Sequence, residues 1–88
     1  MLVKKHLNLL GLPVTDKVTG FSGVVESISF DLYGCVQAVV KPPIKEDGDT
    51  RDGRWFDVSR LAVKSEKPVM RLPNFEYGLQ AEGKQGAA

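Results

Sequence analysis

Cysteine and histidine are nearly missing from this chain of 88 residues, which has one of each. A single cysteine forms no internal disulfide, which is typical of a protein that folds in a reducing compartment. One cysteine and one histidine do not make a zinc site. We therefore expect neither a bound metal nor a cofactor.

The chain also lacks an excess of positive or negative charge. Lys and Arg number 12 and Asp and Glu number 11, for a formal net charge of +1. A nucleic-acid binder usually gathers a basic face, so this balance argues against nucleic acid as the partner and disfavours a transcription or RNA-binding barrel. Long apolar runs are lacking as well, and we expect no membrane span and no secretory signal.

The sequence has β-type patterning in its middle part. Composition divides the chain into a segment 1–12, a β-patterned domain 13–64 and a tail 65–88 that contains two prolines and three glycines. Short β-branched and aromatic runs between turn residues favour strands. The predicted strands are Ser22–Phe30, with a bulge or two buried faces at Val24 and Val25, then Cys35–Lys41, Arg54–Asp57 and Leu61–Lys64, with a helical turn at Val58–Arg60. The four residues 31–34 end in glycine, which predicts a turn that closes a hairpin.

This order of elements predicts an all-β fold, a small SH3-like β-barrel with an extended carboxy-terminal arm. Residues 1–10 fit either a short helix or an edge strand. The predicted core residues are Val18, Phe21, Val25, Ile28, Val39 and Leu61.

Three segments carry a family resemblance. Asp16–Gly23 (DKVTGFSG) and Tyr33–Gln37 (YGCVQ), followed by Trp55–Leu61 (WFDVSRL), resemble a family of small proteins encoded in tailed-phage and prophage genomes. The similarity covers roughly Leu10–Val63. The resemblance implies an SH3-like barrel and a bacteriophage origin, and it implies no particular activity.

Catalytic signals are weak. Cys35 has no imidazole partner other than His6, and a small half-buried hydrophobe at the start of a strand fits it better than a nucleophile does. The acidic loop with Asp47 and Asp49 lacks the bidentate acid expected of a calcium loop, which favours a solvated hairpin tip. The glycines of TGFSG do not have the phosphate-loop spacing. We expect a non-enzymatic protein with no catalytic residues.

Aromatic residues and the tail supply the candidate partner-binding residues. Neighbouring strand residues face opposite ways, so one of Trp55 and Phe56 enters the core and the other faces solvent or a partner. The tail mixes apolar side chains with Pro68 and Pro73, which keep it extended and lower the entropy lost on docking. The candidate residues are Trp55, Tyr33, Arg54, Met70, Leu72, Phe75 and Tyr77.

Two hypotheses follow. The first is a structural or protein-interaction module of a phage, a virion or assembly component that binds phage structural proteins or itself as a homo-oligomer. The alternative is a small-ligand protein that binds a host nucleotide signal and counters a host defence, with Arg54, Arg51 or Lys41 holding a phosphate. Either hypothesis places the chain in the virion or the host cytoplasm. Whether the tail docks on another chain or folds back over its own barrel stays open.

Overall fold

The computed structural model describes residues 2–75 and consists mostly of strands. The elements in chain order are helix α1 Leu2–Leu7, strands β1 Pro13–Asp16, β2 Ser22–Phe30, β3 Val36–Lys41 and β4 Arg54–Asp57, a 3-10 helix Val58–Arg60, and strand β5 Leu61–Val63.

The five strands form one antiparallel sheet in the order β4-β3-β2-β1-β5. The small all-β fold predicted from the sequence is confirmed, and so is the helical turn that joins β4 to β5. β4 and β5 lie at the two ends of this order, and within residues 2–75 no pairing joins them. Closure of the sheet into a barrel therefore stays a prediction.

The long strand β2 connects both halves of the sheet because it pairs with β1 at its start and with β3 along its length. Its register shifts between Val25 and Ser27, so of the two alternatives predicted at Val24 and Val25 the structure favours the bulge, one residue further along at Glu26. Gly23 sits where β2 passes closest to the end of β3. A Cβ atom at this position would collide with the carbonyl group of Lys41. Glycine is required here by close approach of two backbones, whereas Gly20 is required by its φ of 81° in the preceding turn.

The core lies on one face of the sheet. Its buried hydrophobic members are Val14, Val25, Ala38, Val40, Phe56 and Leu61. The strand alternation places Phe56 inward and Trp55 outward, since Phe56 is 8% exposed and Trp55 is 55% exposed. The predicted division of this aromatic pair is confirmed.

The segment before the sheet is helical at its start, which settles the choice left open between helix and edge strand. The ring of His6 in α1 meets the ring of Phe30 edge-on, with 6.0 Å between centroids. Leu9, Leu10 and Leu12 then pack against the core. Segment 1–12 thus adds apolar side chains to a core that is small by itself.

Four of the six predicted core residues need correction or refinement. Val25 and Leu61 are buried as expected, and Phe21 and Ile28 pack half-buried against them. Val18 is wrong, because it lies in the tight turn after β1 and is 71% exposed. Val39 is half-buried on the opposite face, since its neighbours Ala38 and Val40 take the inward positions.

Cys35 also differs from the prediction. It is exposed and precedes β3. The turn extends through Cys35 because the Asp31 carboxylate accepts a hydrogen bond from the Cys35 amide at 3.0 Å. The predicted half-buried position at a strand start is therefore wrong.

We predict that Phe56→Ala lowers the free energy of unfolding by about 3–5 kcal/mol, because it opens a cavity in the core. Trp55→Ala is the matched control one residue away on the other face, and its cost is expected to be much smaller. Chemical denaturation followed by circular dichroism measures both. Equal losses for the two variants would contradict the assignment of faces.

Candidate functional site

An ion pair joins the buried carboxylate of Asp16, at the start of the DKVTGFSG segment, to the partly exposed Arg60, near the end of the WFDVSRL segment. The Asp16 side chain is fully buried and accepts hydrogen bonds from Arg60 Nε at 2.8 Å and Arg60 Nη2 at 2.7 Å. The backbone amide and hydroxyl of Thr19 donate to Oδ2 of the same carboxylate at 2.9 and 2.5 Å. Arg60 holds the pKa of Asp16 well below its usual range, and the Thr19 hydrogen bonds lower it further against the opposing effect of burial.

Aromatic rings lie against the arginine of this pair. The guanidinium carbon of Arg60 lies 5.3 Å from the ring centroid of Phe56, which is cation–π distance. The Phe56 ring in turn lies 5.3 Å from that of Phe21, centroid to centroid. The motif residues Asp16, Thr19 and Phe21 therefore serve the packing of the β1–β2 turn.

Asp57 has a local structural role at the start of the 3-10 helix. Its carboxylate accepts hydrogen bonds from the Ser59 amide at 3.0 Å and the Ser59 hydroxyl at 2.7 Å. These bonds lower the pKa of Asp57. Both perturbed carboxylates are thus bound to groups of the fold, and neither is poised as a catalytic base. Residues 2–75 contain no cluster of three or more His, Cys, Asp or Glu side chains arranged to hold a metal.

Trp55 and Arg54 lie together on β4. This strand pairs with β3 alone among the described strands, so one of its edges is open. Trp55 stands opposite Val39 on the outer face of the sheet, and Arg54 is exposed. Edge strands with an exposed aromatic residue can bind an extended peptide by strand addition.

Tyr33 lies at the tip of the β2–β3 hairpin. Trp55 pairs with Val39, three residues and about 10 Å along β3 from its first residue Val36, and Tyr33 lies beyond that end of the strand, in the turn. The structure therefore does not bring Tyr33 and Trp55 into one aromatic surface. Phe56, the other aromatic residue of β4, is in the core.

The described part of the tail folds back beside its own amino-terminal segment. The Val69 amide donates to the Gly11 carbonyl at 2.8 Å, and Gly11 itself donates to the Val25 carbonyl at 2.8 Å. We call residues 65–75 the arm. Beyond Pro68, the arm carries Met70, Leu72 and Phe75, all of which remain exposed.

Between the arm and β2 lies an apolar cavity of about 380 Å³, which we call the arm cleft. Its two charged lining residues are Glu26 and Arg71. Its apolar lining comes from Leu10, Val24 and Val25 of the body and from Val69, Met70, Leu72, Pro73 and Phe75 of the arm. Three of the candidate residues of the sequence thus share one cavity.

A second cavity of about 490 Å³ lies where β1, β2 and β3 meet the end of β5, and we call it the lysine cleft. Lys41 and Lys64 line it together with Glu26 and three prolines, Pro13, Pro42 and Pro43. Lys41 is half-buried, and residues 2–75 show no ion pair for either lysine.

The candidate residues therefore fall into separate places. Arg54 and Trp55 occupy the outer edge strand, Tyr33 the hairpin tip, and Met70, Leu72 and Phe75 the arm cleft. Tyr77 lies outside the described residues. Sequence reasoning missed the Asp16–Arg60 pair, because its partners are 44 residues apart. It also did not name Leu32, the exposed neighbour of Tyr33, as a candidate. The turn predicted over 31–34 was the available signal, because it places both side chains at the end of a hairpin.

Comparisons with known proteins give no relatives. No family model matches the chain, and neither curated proteins nor solved structures give a significant match to it. In the part of the chain that the structure describes, no helix has the length and apolar character to cross a membrane.

We predict a pH dependence of stability from the Asp16–Arg60 pair. Folding lowers the pKa of Asp16 from its ordinary value of 3.8, so the unfolded chain binds the proton more readily. The stabilisation is complete above that value and is lost as the pH falls below it, towards the folded pKa. We expect the melting temperature of the wild type to fall more steeply below about pH 4 than that of Asp16→Asn.

Asp16→Asn is also expected to be less stable at neutral pH, because it leaves the Arg60 guanidinium without its carboxylate. Asp52→Asn, in the exposed polar loop, is the matched control and is expected to follow the wild-type curve. Parallel curves for the wild type and Asp16→Asn would contradict the role of this pair.

Proposed function

We propose that this chain is a non-enzymatic protein-interaction module of a bacteriophage that binds neighbouring subunits of an assembly through its arm. The observation that carries the proposal is the exposure of the arm's apolar side chains. Val69, Met70 and Phe75 are all more than half exposed, although the arm is attached to its own body by the Val69–Gly11 hydrogen bond. Contiguous apolar side chains on a small protein mark an interaction surface.

The energetics favour a partner for this segment. Fully burying a large apolar side chain contributes about 1.5–3 kcal/mol relative to leaving it in water. Several such side chains in one short arm are enough to offset the cost of ordering a partner against it. Pro68 and Pro73 reduce that cost because they already restrict the arm to extended conformations.

The assignment to a phage assembly rests on the resemblance of the DKVTGFSG, YGCVQ and WFDVSRL segments to small phage and prophage proteins. Within that setting the partner is a phage structural protein or a further copy of this chain. The place of action is the virion or the host cytoplasm. The pairing of a compact sheet with an apolar arm is common among subunits that lace together in large assemblies.

The lysine cleft supports a second candidate function, the binding of a small nucleotide signal. Two lysines without carboxylate partners in the described chain can neutralise a phosphate group. Pro13, Pro42 and Pro43 offer apolar surface to a base or sugar. A cavity of about 490 Å³ has the size of a small-ligand site.

The arm is tested by the triple variant Val69→Ser, Met70→Ser, Phe75→Ser. Quantitative mass spectrometry of particles purified from cells that carry the encoding phage genome is expected to find the wild type and to find the triple variant strongly depleted. Ile44→Ser is the matched control, because Ile44 is equally exposed but lies in the loop before β4. Full recovery of a folded triple variant in the particles would contradict the proposal.

The second candidate is tested by thermal shift against a panel of linear and cyclic nucleotides. A ligand that binds the folded state raises the melting temperature of the wild type. The double variant Lys41→Ala, Lys64→Ala is expected to lose that rise, and Lys17→Ala, a lysine outside the lysine cleft, is expected to keep it. No rise with any nucleotide would exclude this candidate.

A further inference from the structure

The hairpin tip between β2 and β3 presents two large apolar side chains almost fully to solvent. Leu32 is 92% exposed and Tyr33 is 88% exposed, more than any other large hydrophobic residue that the structure describes. An isolated exposed hydrophobe is ordinary, but two adjacent ones at the end of a hairpin form a protruding apolar knob. We call residues 31–35 the tip.

The tip is held rigid by its own hydrogen bonds. Oδ1 of Asp31 accepts from the amides of Tyr33 at 2.9 Å and Cys35 at 3.0 Å. The Gly34 amide donates to the Asp31 carbonyl at 3.1 Å, and Gly34 has the φ of 89° that this turn needs. A preorganised apolar knob loses little conformational entropy when it docks, which is the property of an interface anchor.

The arm cleft of the same protein matches this knob. Its lining is almost entirely apolar, and its volume of about 380 Å³ accommodates one aromatic and one branched side chain. The cleft also contains Arg71, and the tip contains Asp31. Both backbone bonds to the Asp31 side chain use Oδ1, so Oδ2 is available to accept from an arginine.

The tip cannot reach the arm cleft of its own chain. The cleft borders β2 at Val24–Glu26, whereas Leu32 lies beyond the other end of that strand. Six residues lie between Val25 and Leu32, and because this stretch of β2 is held extended by its pairing with β3, the two residues are about 20 Å apart. An encounter between tip and cleft therefore takes place between two molecules.

We infer that the Leu32–Tyr33 tip of one copy inserts into the arm cleft of a second copy, with Asp31 of the tip facing Arg71 of the cleft. This inference rests on the proposed function and names its partner as the chain itself. The contact is heterologous, because two different surfaces meet. Repetition of a heterologous contact generates a ring if it closes and a filament if it does not.

The test uses purified full-length chain in sedimentation velocity over a range of concentrations. The tip variant is Leu32→Ser, Tyr33→Ser, and the cleft variant is Met70→Asp, which adds a negative charge beside the site for Asp31. All three positions are exposed, so the variants are expected to fold like the wild type. The wild type and the control Ile44→Ser are expected to self-associate, and each variant alone is expected to be monomeric.

A mixture of the two variants distinguishes this arrangement from other forms of self-association. The tip variant keeps an intact cleft, and the cleft variant keeps an intact tip, so the mixture is expected to form a one-to-one heterodimer and nothing larger. The single thiol, Cys35, borders the tip, and its alkylation is expected to slow on heterodimer formation. A mixture that stays monomeric while the wild type associates would overturn the inference.

Three further outcomes separate this inference from the proposed function. A tip variant that self-associates like the wild type would show that the arm docks by itself, and would overturn the inference alone. A wild type that stays monomeric at every concentration but enters phage particles would also overturn the inference and leave the proposed function standing. Heterodimer formation by a chain that is missing from the particles would support the inference and contradict the proposed function.

Discussion

The fold depends on the salt bridge between the buried carboxylate of Asp16 and the partly exposed side chain of Arg60. A buried carboxylate is stable only when its lone pairs are satisfied, and here Arg60 and Thr19 satisfy them. The Lys17 amide also donates to the Arg60 carbonyl at 2.7 Å, so the β1–β2 turn and the 3-10 helix are joined through backbone as well as side chains. Since Phe56 packs beneath the guanidinium, this one contact orients the turn, the helix and the end of β4.

This constraint leaves the functional surfaces at the periphery of the sheet. The interior of the small core is filled by residues of the sheet itself, with added cover from the leucines before β1. The tip, the arm and the outer face with Trp55 take no part in the buried pair and remain exposed. A rigid centre that holds apolar elements outward is suited to binding other proteins, in keeping with the proposed role in a phage assembly.

Local sequence signals predicted strands β2 to β5 and the turn at 31–34, because strand periodicity and turn chemistry act over a few residues. They gave no bounds for β1, Pro13–Asp16, which is only four residues long. The same alternation predicted that Trp55 and Phe56 face opposite ways, but which of them is buried depends on the register of β4 against β3. Val18 is exposed because the Asp16 carboxylate accepts hydrogen bonds from Thr19 and so holds the residues between them in a tight turn.

Contacts between distant parts of the chain were beyond prediction from one sequence. The Asp16–Arg60 pair and the return of Val69 to Gly11 both bring together residues more than 40 positions apart. A single sequence offers many charged and apolar residues that could form such contacts, and nothing in it shows which of them become partners. The arm cleft depends on the return of Val69 to Gly11, so Met70, Leu72 and Phe75 were named from the sequence without the cavity that they line.

Hydrogen exchange by mass spectrometry tests the central claim most directly, that the tip and the arm are the surfaces through which this protein binds its partners. The assembled and dilute forms of the full chain are compared peptide by peptide. The account predicts added protection of amides in residues 31–35 and 66–75 on assembly, with β4 unchanged. Protection confined to Arg54–Asp57, with the tip and the arm exchanging as in the dilute form, would contradict it.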